Sequence, residues 1–337
     1  GAGAAVGLLG GMIGLGGAEF RLPLLIGLFG FLALEAVILN KAMSLLVVAT
    51  ALPARLVAVP LEQLTPHWPI IVNLLTGSLL GAYLGATWAT RMRNRTLHRV
   101  LAILQAALAS VYAMLWAGGV ASHFLWRATP SGAGWTAPAF LTCSALLVLV
   151  ELERKRLLLL ALGALGWLAE LAGTRLGIPF GDYSYGPVLQ PQAFGVPLVM
   201  ACAWITLLAY VKSSLAVTCL KPWQTIFAGA AWMTALDLVI DPVATAALRF
   251  WRWPAGGVYY GIPLSNFAGW MIVSAVLLAA GTRLEIKGRM TRWMGASVVI
   301  FFGLLAVAHG LIWPAAISAA LSLAHLKLER QGRSTGA

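Results

Sequence analysis

Residues 157–174 read Leu-Leu-Leu-Leu-Ala-Leu-Gly-Ala-Leu-Gly-Trp-Leu-Ala-Glu-Leu-Ala-Gly-Thr, an apolar run of the length that crosses a bilayer. The run is followed by Gly177-Ile-Pro-Phe-Gly-Asp-Tyr-Ser-Tyr-Gly186, which is rich in aromatic residues, glycine and proline. A second segment of the same character runs from Trp251 to Trp270 and also lies between apolar spans. Such segments are where an apolar scaffold would place a functional site.

The composition excludes a soluble protein. The chain has 337 residues, of which 60% are hydrophobic and only 10% are charged, whereas a soluble domain carries about 25% charged residues. We therefore predict a polytopic membrane protein in contact with membrane lipids. The formal charge of +12 does not indicate nucleic-acid binding, because the basic residues form short clusters without interleaved aromatic residues. The sequence begins Gly1-Ala2-Gly3 without a methionine, and we expect further residues to precede it.

The apolar runs predict an all-α membrane bundle of about eleven transmembrane helices, the first of them broken. The predicted spans lie near residues 3–30, 33–54, 68–90, 99–117, 136–150, 157–174, 193–211, 224–243, 265–282, 293–309 and 311–326. Residues 118–135 contain Pro130 and several glycines, which predicts a linker. The expected organisation is therefore a four-helix part over 1–117, the linker, and a larger part over 136–337.

The basic residues predict the orientation. Sixteen of the 23 lie in alternate loops, at 91–99, 154–156, 212–221, 283–292 and 327–333. Because cytoplasmic loops carry an excess of Lys and Arg, this bias predicts a cytoplasmic C-terminus. The expected location is the inner or cytoplasmic membrane of a bacterium or archaeon. Segments 175–192 and 244–264 then fall together on the outer face, where they can meet in space.

The sequence predicts no metal site and no disulfide. Cys143, Cys202 and Cys219 lie in apolar segments and form no CxxC pair, so we interpret them as small buried hydrophobic residues. The five histidines are scattered, and no His, Cys or Asp spacing is typical of a transition-metal site.

The N-terminal part has a Gly-rich, interrupted first span. Residues 7–26 carry six glycines, then Glu19, Arg21 and Pro23, and Glu35-Ala-Val follows. Over about residues 3–117 this pattern resembles one repeat of the sulfite exporter TauE/SafE family, whose exporters carry two such repeats. Since the chain carries one such repeat, the resemblance implies either a homodimeric exporter or a half that has lost transport, with Glu19 and Arg21 as the candidate anion or helix-break site. The alternative is that they neutralise each other at an interface while the glycines pack helices.

The C-terminal part carries a second set of motifs. They are Glu170 through Tyr185, Gly195-Val-Pro-Leu198 with Trp204, Asp237-Leu-Val-Ile-Asp-Pro242, Trp251-Arg-Trp253, Gly257 through Pro263, and Asn266-Phe-Ala-Gly-Trp270. Over about residues 140–283 they are similar to the carotenoid biosynthesis protein family, which includes carotenoid 1,2-hydratases and bisanhydrobacterioruberin hydratases. The resemblance implies a polyene substrate, specifically an acyclic carotenoid.

Alkene hydration needs a strong proton donor, stabilisation of a tertiary cation and a water molecule, but no cofactor. A carboxylic acid in an apolar site can stay protonated at neutral pH, and aromatic faces stabilise a cation. The candidate acids are Glu170, Asp182, Asp237 and Asp241. The candidate substrate-binding residues are Tyr183, Tyr185, Trp251, Trp253, Tyr259, Tyr260, Asn266 and Trp270.

Each candidate also has a structural interpretation. Asp237 and Asp241 are four residues apart and share a helix face, where the pair favours one retained proton. The alternative is that Asp237 bonds a helix neighbour and Asp241 caps a helix break before Pro242. Glu170 is either in the site or paired with Arg175. Asp182 could equally form a turn with its neighbours Gly181 and Tyr183. Trp251 and Trp253 could equally belong to the belt of aromatic residues at the membrane–water interface.

Three functions compete on sequence alone. The favoured one is a membrane hydratase that adds water to the terminal C1–C2 double bond of an acyclic carotenoid. The second is a non-catalytic carotenoid- or lipid-binding subunit of a larger membrane complex. The third is a dimeric exporter of small anions of the sulfite type.

Overall fold

The computed structural model describes residues 94–152 and 156–334, together with positions 25, 30–31, 35–36, 38–46, 72, 76–81, 83–84 and 87. The chain divides into two compact units, Gly1–Val100 and Leu101–Ala337. The predicted candidates Glu19 and Arg21 lie outside the described residues. The second unit contains the motifs of the C-terminal part.

Between residues 94 and 334 the described chain forms eight helices with short strands in the loops. The helices are α1 Asn94–Trp126, α2 Thr136–Glu151, α3 Arg156–Leu176, α4 Met200–Leu215, α5 Pro222–Ala246, α6 Leu264–Ala280, α7 Arg289–Ala308 and α8 Ile312–Ser334. The strands are β1 Ser184–Tyr185, β2 Gln192–Ala193, β3 Val196–Pro197 and β4 Trp251–Arg252. The predicted helical class is therefore confirmed, while the total of eleven spans stays a prediction.

Four of the described helices are long and apolar enough to cross a membrane. They are Ala102–Trp126 within α1, Arg156–Leu176, Pro222–Ala246 and Arg289–Ala308. Helices α2, α4 and α6 are also apolar but shorter, with 16 or 17 residues each. These lengths and compositions, with the sequence composition, agree with an integral membrane protein.

Two boundaries differ from those predicted. Residues 118–126, predicted as part of a linker, continue α1 to Trp126, and only residues 127–135 leave the helix. Gly118 and Gly119 each cost a helix about 1 kcal/mol. The apolar residues around them, the contact of Trp116 with α7 and the contact of His123 with His309, just after α7, keep this segment helical. The span predicted from residue 193 begins instead at Met200, because residues 192–197 form the β2–β3 hairpin.

Helix α4 forms the centre of the second unit. Twelve of its 16 residues are buried, and the indole of Trp204 is almost fully enclosed. Gly166 of α3 lies against that indole ring, and a Cβ at this position would have no room. The close approach of α3 and α4 is therefore set by a glycine, as is usual for helices packed in lipid.

The two aromatic loop segments meet in the structure. Strands β1 and β4 pair in antiparallel register, with Ser184 opposite Arg252 and Tyr185 opposite Trp251. The Arg252 Nε also donates a hydrogen bond to Ser184 Oγ at 3.1 Å. This pairing places both segments over the same end of the bundle, beside the C-terminal ends of α3 and α5.

Candidate functional site

A cavity of about 350 Å³ lies beneath the paired loops. It is partly open to the surface, because its lining residues Met114 and Trp126 are exposed. Its wall is built from α1 to α7 and from both aromatic segments. The wall is mostly apolar, but it includes the carboxyl groups of Glu170, Asp237 and Asp241. No Lys or Arg is among the described residues that line it. Three carboxyl groups thus share an apolar space without a basic side chain to balance them.

Glu170 projects from α3 and is held by three donors. Its Oε2 accepts hydrogen bonds from the hydroxyls of Tyr183 and Tyr185, the latter at 2.9 Å. Its Oε1 accepts from Trp204 Nε1 at 3.0 Å. Because the carboxyl group is 4% exposed and both its oxygens are bonded, this side chain is fixed in position.

Asp237 and Asp241 lie one turn apart on α5 and are joined by an amide. The Asn266 Nδ2 of α6 donates to Asp237 Oδ2 at 2.6 Å and to Asp241 Oδ2 at 2.7 Å. All three side chains are buried. The two aspartates therefore share one helix face, as their spacing predicted, and form a single hydrogen-bonded group with Asn266. Helix α5 runs through Pro242 to Ala246, so Asp241 does not cap a break there.

The two aspartates differ in their remaining oxygen. The Oδ1 of Asp241 accepts from Trp251 Nε1, from Trp253 Nε1 at 3.4 Å and from Thr245 Oγ1 at 3.2 Å. The Oδ1 of Asp237 accepts no hydrogen bond from the described part of the chain, although the side chain lines the cavity. Within the three-carboxyl cluster, Asp237 Oδ1 is therefore the oxygen left available to a ligand.

Aromatic rings surround the carboxyl groups. Trp204 and Trp270 stack with their centroids 4.4 Å apart and an interplanar angle of 14°. The rings of Tyr183 and Trp253 lie 4.8 Å apart. Such faces carry partial negative charge and attract a cation. The cavity therefore combines an available carboxyl oxygen with surfaces suited to a positive centre in an apolar ligand.

The tyrosines that hold Glu170 remain protonated hydrogen-bond donors. Burial raises the pKa of Tyr183 and Tyr185 well above the usual range for tyrosine, and the negative charge of Glu170 raises both further. At neutral pH each hydroxyl therefore keeps its proton. Both hydroxyls can therefore donate to Glu170 Oε2 at neutral pH.

Most of the predicted site residues meet at this cavity. Its wall includes Glu170, Tyr183, Tyr185, Asp237, Asp241, Trp251, Trp253, Asn266 and Trp270. Three predicted candidates lie elsewhere. Asp182 is exposed in the turn after Gly181, Tyr259 donates to the carbonyl of Leu238 at 3.0 Å, and Tyr260 accepts from the backbone N–H of Trp313 at 3.3 Å.

The structure also decides between the structural interpretations. Arg175 is exposed and donates to the carbonyl of Phe194 at 3.1 Å, so it is not the partner of Glu170. The indole N–H groups of Trp251 and Trp253 point to Asp241, which an interfacial belt would not require. These two tryptophans are therefore part of the carboxyl cluster.

Sequence reasoning missed three parts of the site. Trp204 was noticed only as part of a motif, although an indole N–H in an apolar helix usually needs a polar partner. The role of Thr245 as a donor to Asp241 could not be predicted from the sequence, because threonine is common in apolar helices. The wall supplied by α1, including Met114 and Gly118, could not be found, since it depends on long-range packing.

The spanning helices define an integral membrane protein, and its described part holds a mostly apolar cavity that contains a buried carboxyl cluster. The chain belongs to the carotenoid biosynthesis protein family, whose profile matches residues 133–325. Residues 1–112 match the sulfite exporter TauE/SafE family. Residues 113–132, which include the cavity-lining part of α1 from Met114 onward, lie between the two matched regions.

One curated relative bears a functional name. The chain is 32% identical to the bisanhydrobacterioruberin hydratase of Haloarcula japonica over 133 residues, which is 37% of this chain and 43% of that protein. The chain therefore spans less than half the length of this relative. No solved structure matches the chain. Together, the family and the relative support a membrane protein that modifies carotenoids.

Proposed function

We propose that this protein is a carotenoid hydratase, which adds water across the terminal C1–C2 double bond of an acyclic carotenoid end group. The observation that carries the proposal is the available Oδ1 of Asp237 in an apolar, aromatic cavity. The family and the hydratase relative supply the substrate class. Asp237, Asp241 and Glu170 are the proposed catalytic groups, in different roles.

Asp237 is the proposed proton donor. Two carboxyl groups within hydrogen-bond reach of one amide nitrogen resist carrying two negative charges, so the pair retains a proton. Asp241 is surrounded by four donors and is best suited to hold the negative charge. The proton then resides on Asp237, whose Oδ1 faces the cavity and can deliver it to C2 of the substrate.

The aromatic wall is proposed to stabilise the cation. Transfer of the proton to C2 breaks the double bond and leaves a tertiary positive centre at C1. The faces of Tyr183, Trp253 and Trp270 can attract such a centre by about 2 kcal/mol or more each in a desolvated site. The negative charge of the carboxyl cluster adds to this attraction.

Water completes the reaction. Its oxygen bonds to C1, and the proton it loses returns to the Asp237–Asp241 pair, so that the site is restored and atoms and charge balance. Glu170 is held by Tyr183, Tyr185 and Trp204. Its proposed role is to fix the two tyrosine rings at the cavity wall and to add negative potential near the cation.

The test is pigment chromatography of a lycopene-producing host that expresses the chain. The wild type is expected to form a product heavier than lycopene by one water molecule, and the Asp237→Asn/Asp241→Asn double variant is expected to form none. Asp182→Asn, which changes an exposed aspartate outside the cavity, is the matched control. If the double variant forms as much product as the wild type, the proposed mechanism is wrong. If the wild type co-purifies with stoichiometric lycopene but forms no product, the protein is a binding subunit instead.

A further inference from the structure

Helix α1 lines the cavity with one face over three turns. The lining residues are Met114, Leu115, Gly118, Gly119, Ser122, His123 and Trp126. At a rise of 1.5 Å per residue this face extends for about 18 Å. Such a length suits a rod-shaped chain more than a compact ligand. Residues 114–126 lie outside both family matches, whereas the residues of α7 that pack against them lie within the carotenoid biosynthesis match.

The cavity volume limits what can be enclosed. About 350 Å³ is at the lower end of the range for pockets that hold drug-sized ligands. A full-length acyclic carotenoid is larger than such a ligand, so only its end group and the adjoining chain fit inside. The rest of the polyene must leave the cavity along its wall, away from the carboxyl cluster.

Two adjacent glycines of α1 differ in the space beside them. A Cβ on Gly119 would lie 2.8 Å from a ring carbon of Phe301, so α1 packs directly against α7 there. A Cβ on Gly118 would meet no atom within 4 Å. Gly118 lines the cavity and is itself exposed, so the space that its side chain would occupy is open and lies where the cavity reaches the protein surface.

Polar contacts on both sides of Gly118 fix α1 to α7 and to His309, the residue that follows α7. On one side, Trp116 Nε1 donates to the carbonyl of Ser297 at 2.9 Å, and the Tyr112 hydroxyl lies 2.7 Å from Ser297 Oγ. On the other side, His123 Nδ1 lies 2.9 Å from His309 Nε2. Because α1 is held at both points, a larger side chain at position 118 would narrow this opening of the cavity and would not simply displace the helix.

We propose that Gly118 is the specificity-determining residue of the cavity, where the missing side chain leaves a passage for the polyene of the substrate while its end group reaches Asp237. The identity of the ligand rests on the proposed function, but the passage itself can be tested by binding alone. A long, flat polyene needs the passage, whereas a short isoprenoid that fits within the cavity depends on it much less.

The test compares Gly118→Leu with Ala117→Leu in the full chain. Ala117 is exposed and does not line the cavity, so it is the matched control. Leucine favours the helix more than glycine does, so Gly118→Leu is not expected to unfold α1. Gly118→Leu is expected to reduce co-purified lycopene at least about tenfold, equivalent to 1.4 kcal/mol, while Ala117→Leu retains the wild-type amount.

Turnover gives a second measurement. Citronellol serves as the short isoprenoid that fits within the cavity. The ratio of lycopene hydration to citronellol hydration is expected to fall at least about tenfold in Gly118→Leu. If Gly118→Leu co-purifies with as much lycopene as the wild type does, the proposed passage is wrong, whether or not the protein is a hydratase. If Asp237→Asn retains lycopene and Gly118→Leu does not, the passage is supported. That result does not depend on hydration being detected. A wild type that neither retains nor converts lycopene would overturn both proposals.

Discussion

Asp237 and Asp241 differ at one oxygen, and that difference assigns their proposed roles: the Oδ1 of Asp241 accepts three hydrogen bonds, whereas the Oδ1 of Asp237 accepts none from the described residues. Their spacing already predicted a shared helix face, because the helical period is a local property of the sequence. Which oxygen stays available could not be predicted, since Asn266, Trp251 and Trp253 reach the pair from other elements. The same limit explains why Asp182 was a candidate acid: its motif is local, but its exposure depends on the fold.

The first prediction at the residue scale concerns Asp237. Replacement by Asn removes the transferable proton but keeps the shape and the neighbouring bonds. We expect hydration to fall by about 100-fold or more, the usual contribution of a general acid, while co-purified lycopene is unchanged. Chromatography and pigment absorbance measure the two effects. Wild-type turnover by Asp237→Asn would assign the proton to another group.

The second prediction concerns alkaline stability. The pKa values of Tyr183 and Tyr185 are raised in the folded protein by burial and by Glu170, whereas tyrosines in the unfolded chain ionise near pH 10. The stabilisation from these neutral hydroxyls is therefore full below about pH 10 and is lost as the pH rises further.

Thermal unfolding in detergent at a series of pH values measures this effect. The unfolding temperature of the wild type is expected to fall above about pH 10, and the fall should be shallower in Tyr183→Phe/Tyr185→Phe. Tyr83→Phe, at an exposed position, is the control. An equally steep fall in the double variant would show that other groups cause it.

At the scale of elements, the paired loops organise the site. Charge alternation along the sequence predicted that the two aromatic segments share one face, and the structure joins them through β1 and β4. The register was beyond sequence reasoning, because two-residue strands have no periodic pattern to read. The late start of α4 has a similar cause: residues 193–199 are apolar enough for a span but form a hairpin and a turn around Gly195 and Pro197.

A disulfide test checks this register. In a chain whose native cysteines are replaced by alanine, Ser184→Cys with Arg252→Cys is expected to cross-link under mild oxidation, because paired residues of antiparallel strands lie within disulfide reach. Asp182→Cys with Arg252→Cys is the control and should not cross-link. Mobility on a non-reducing gel reports the bond, and equal cross-linking of both pairs would contradict the register.

At the scale of the whole molecule, two family matches occupy one chain, and the described site lies entirely within Leu101–Ala337. Composition and charge predicted the membrane class because those properties sum over many residues. They could not predict that α1 continues through residues 118–126 and lines the cavity, since that depends on contacts with α7 and with His309. We propose that the paired loops lie on the outer face and the C-terminus in the cytoplasm.

Cysteine labelling in intact cells tests this orientation. In the cysteine-free chain, Asp182→Cys lies on the exposed loop and Lys327→Cys on the exposed part of α8. A membrane-impermeant maleimide is expected to label the first and not the second, and permeabilised cells should label both. Labelling of Lys327→Cys alone in intact cells would reverse the proposed orientation.

The central claim is that the oxygen added to the carotenoid comes from water, and isotope labelling measures this most directly. Lycopene is incubated with membranes containing the wild-type chain in water enriched in oxygen-18, and the product is analysed by mass spectrometry. Hydration predicts a product that carries the heavy isotope and is absent from Asp237→Asn membranes. A hydroxylated product without the label, or an equal yield from Asp237→Asn, would contradict the account.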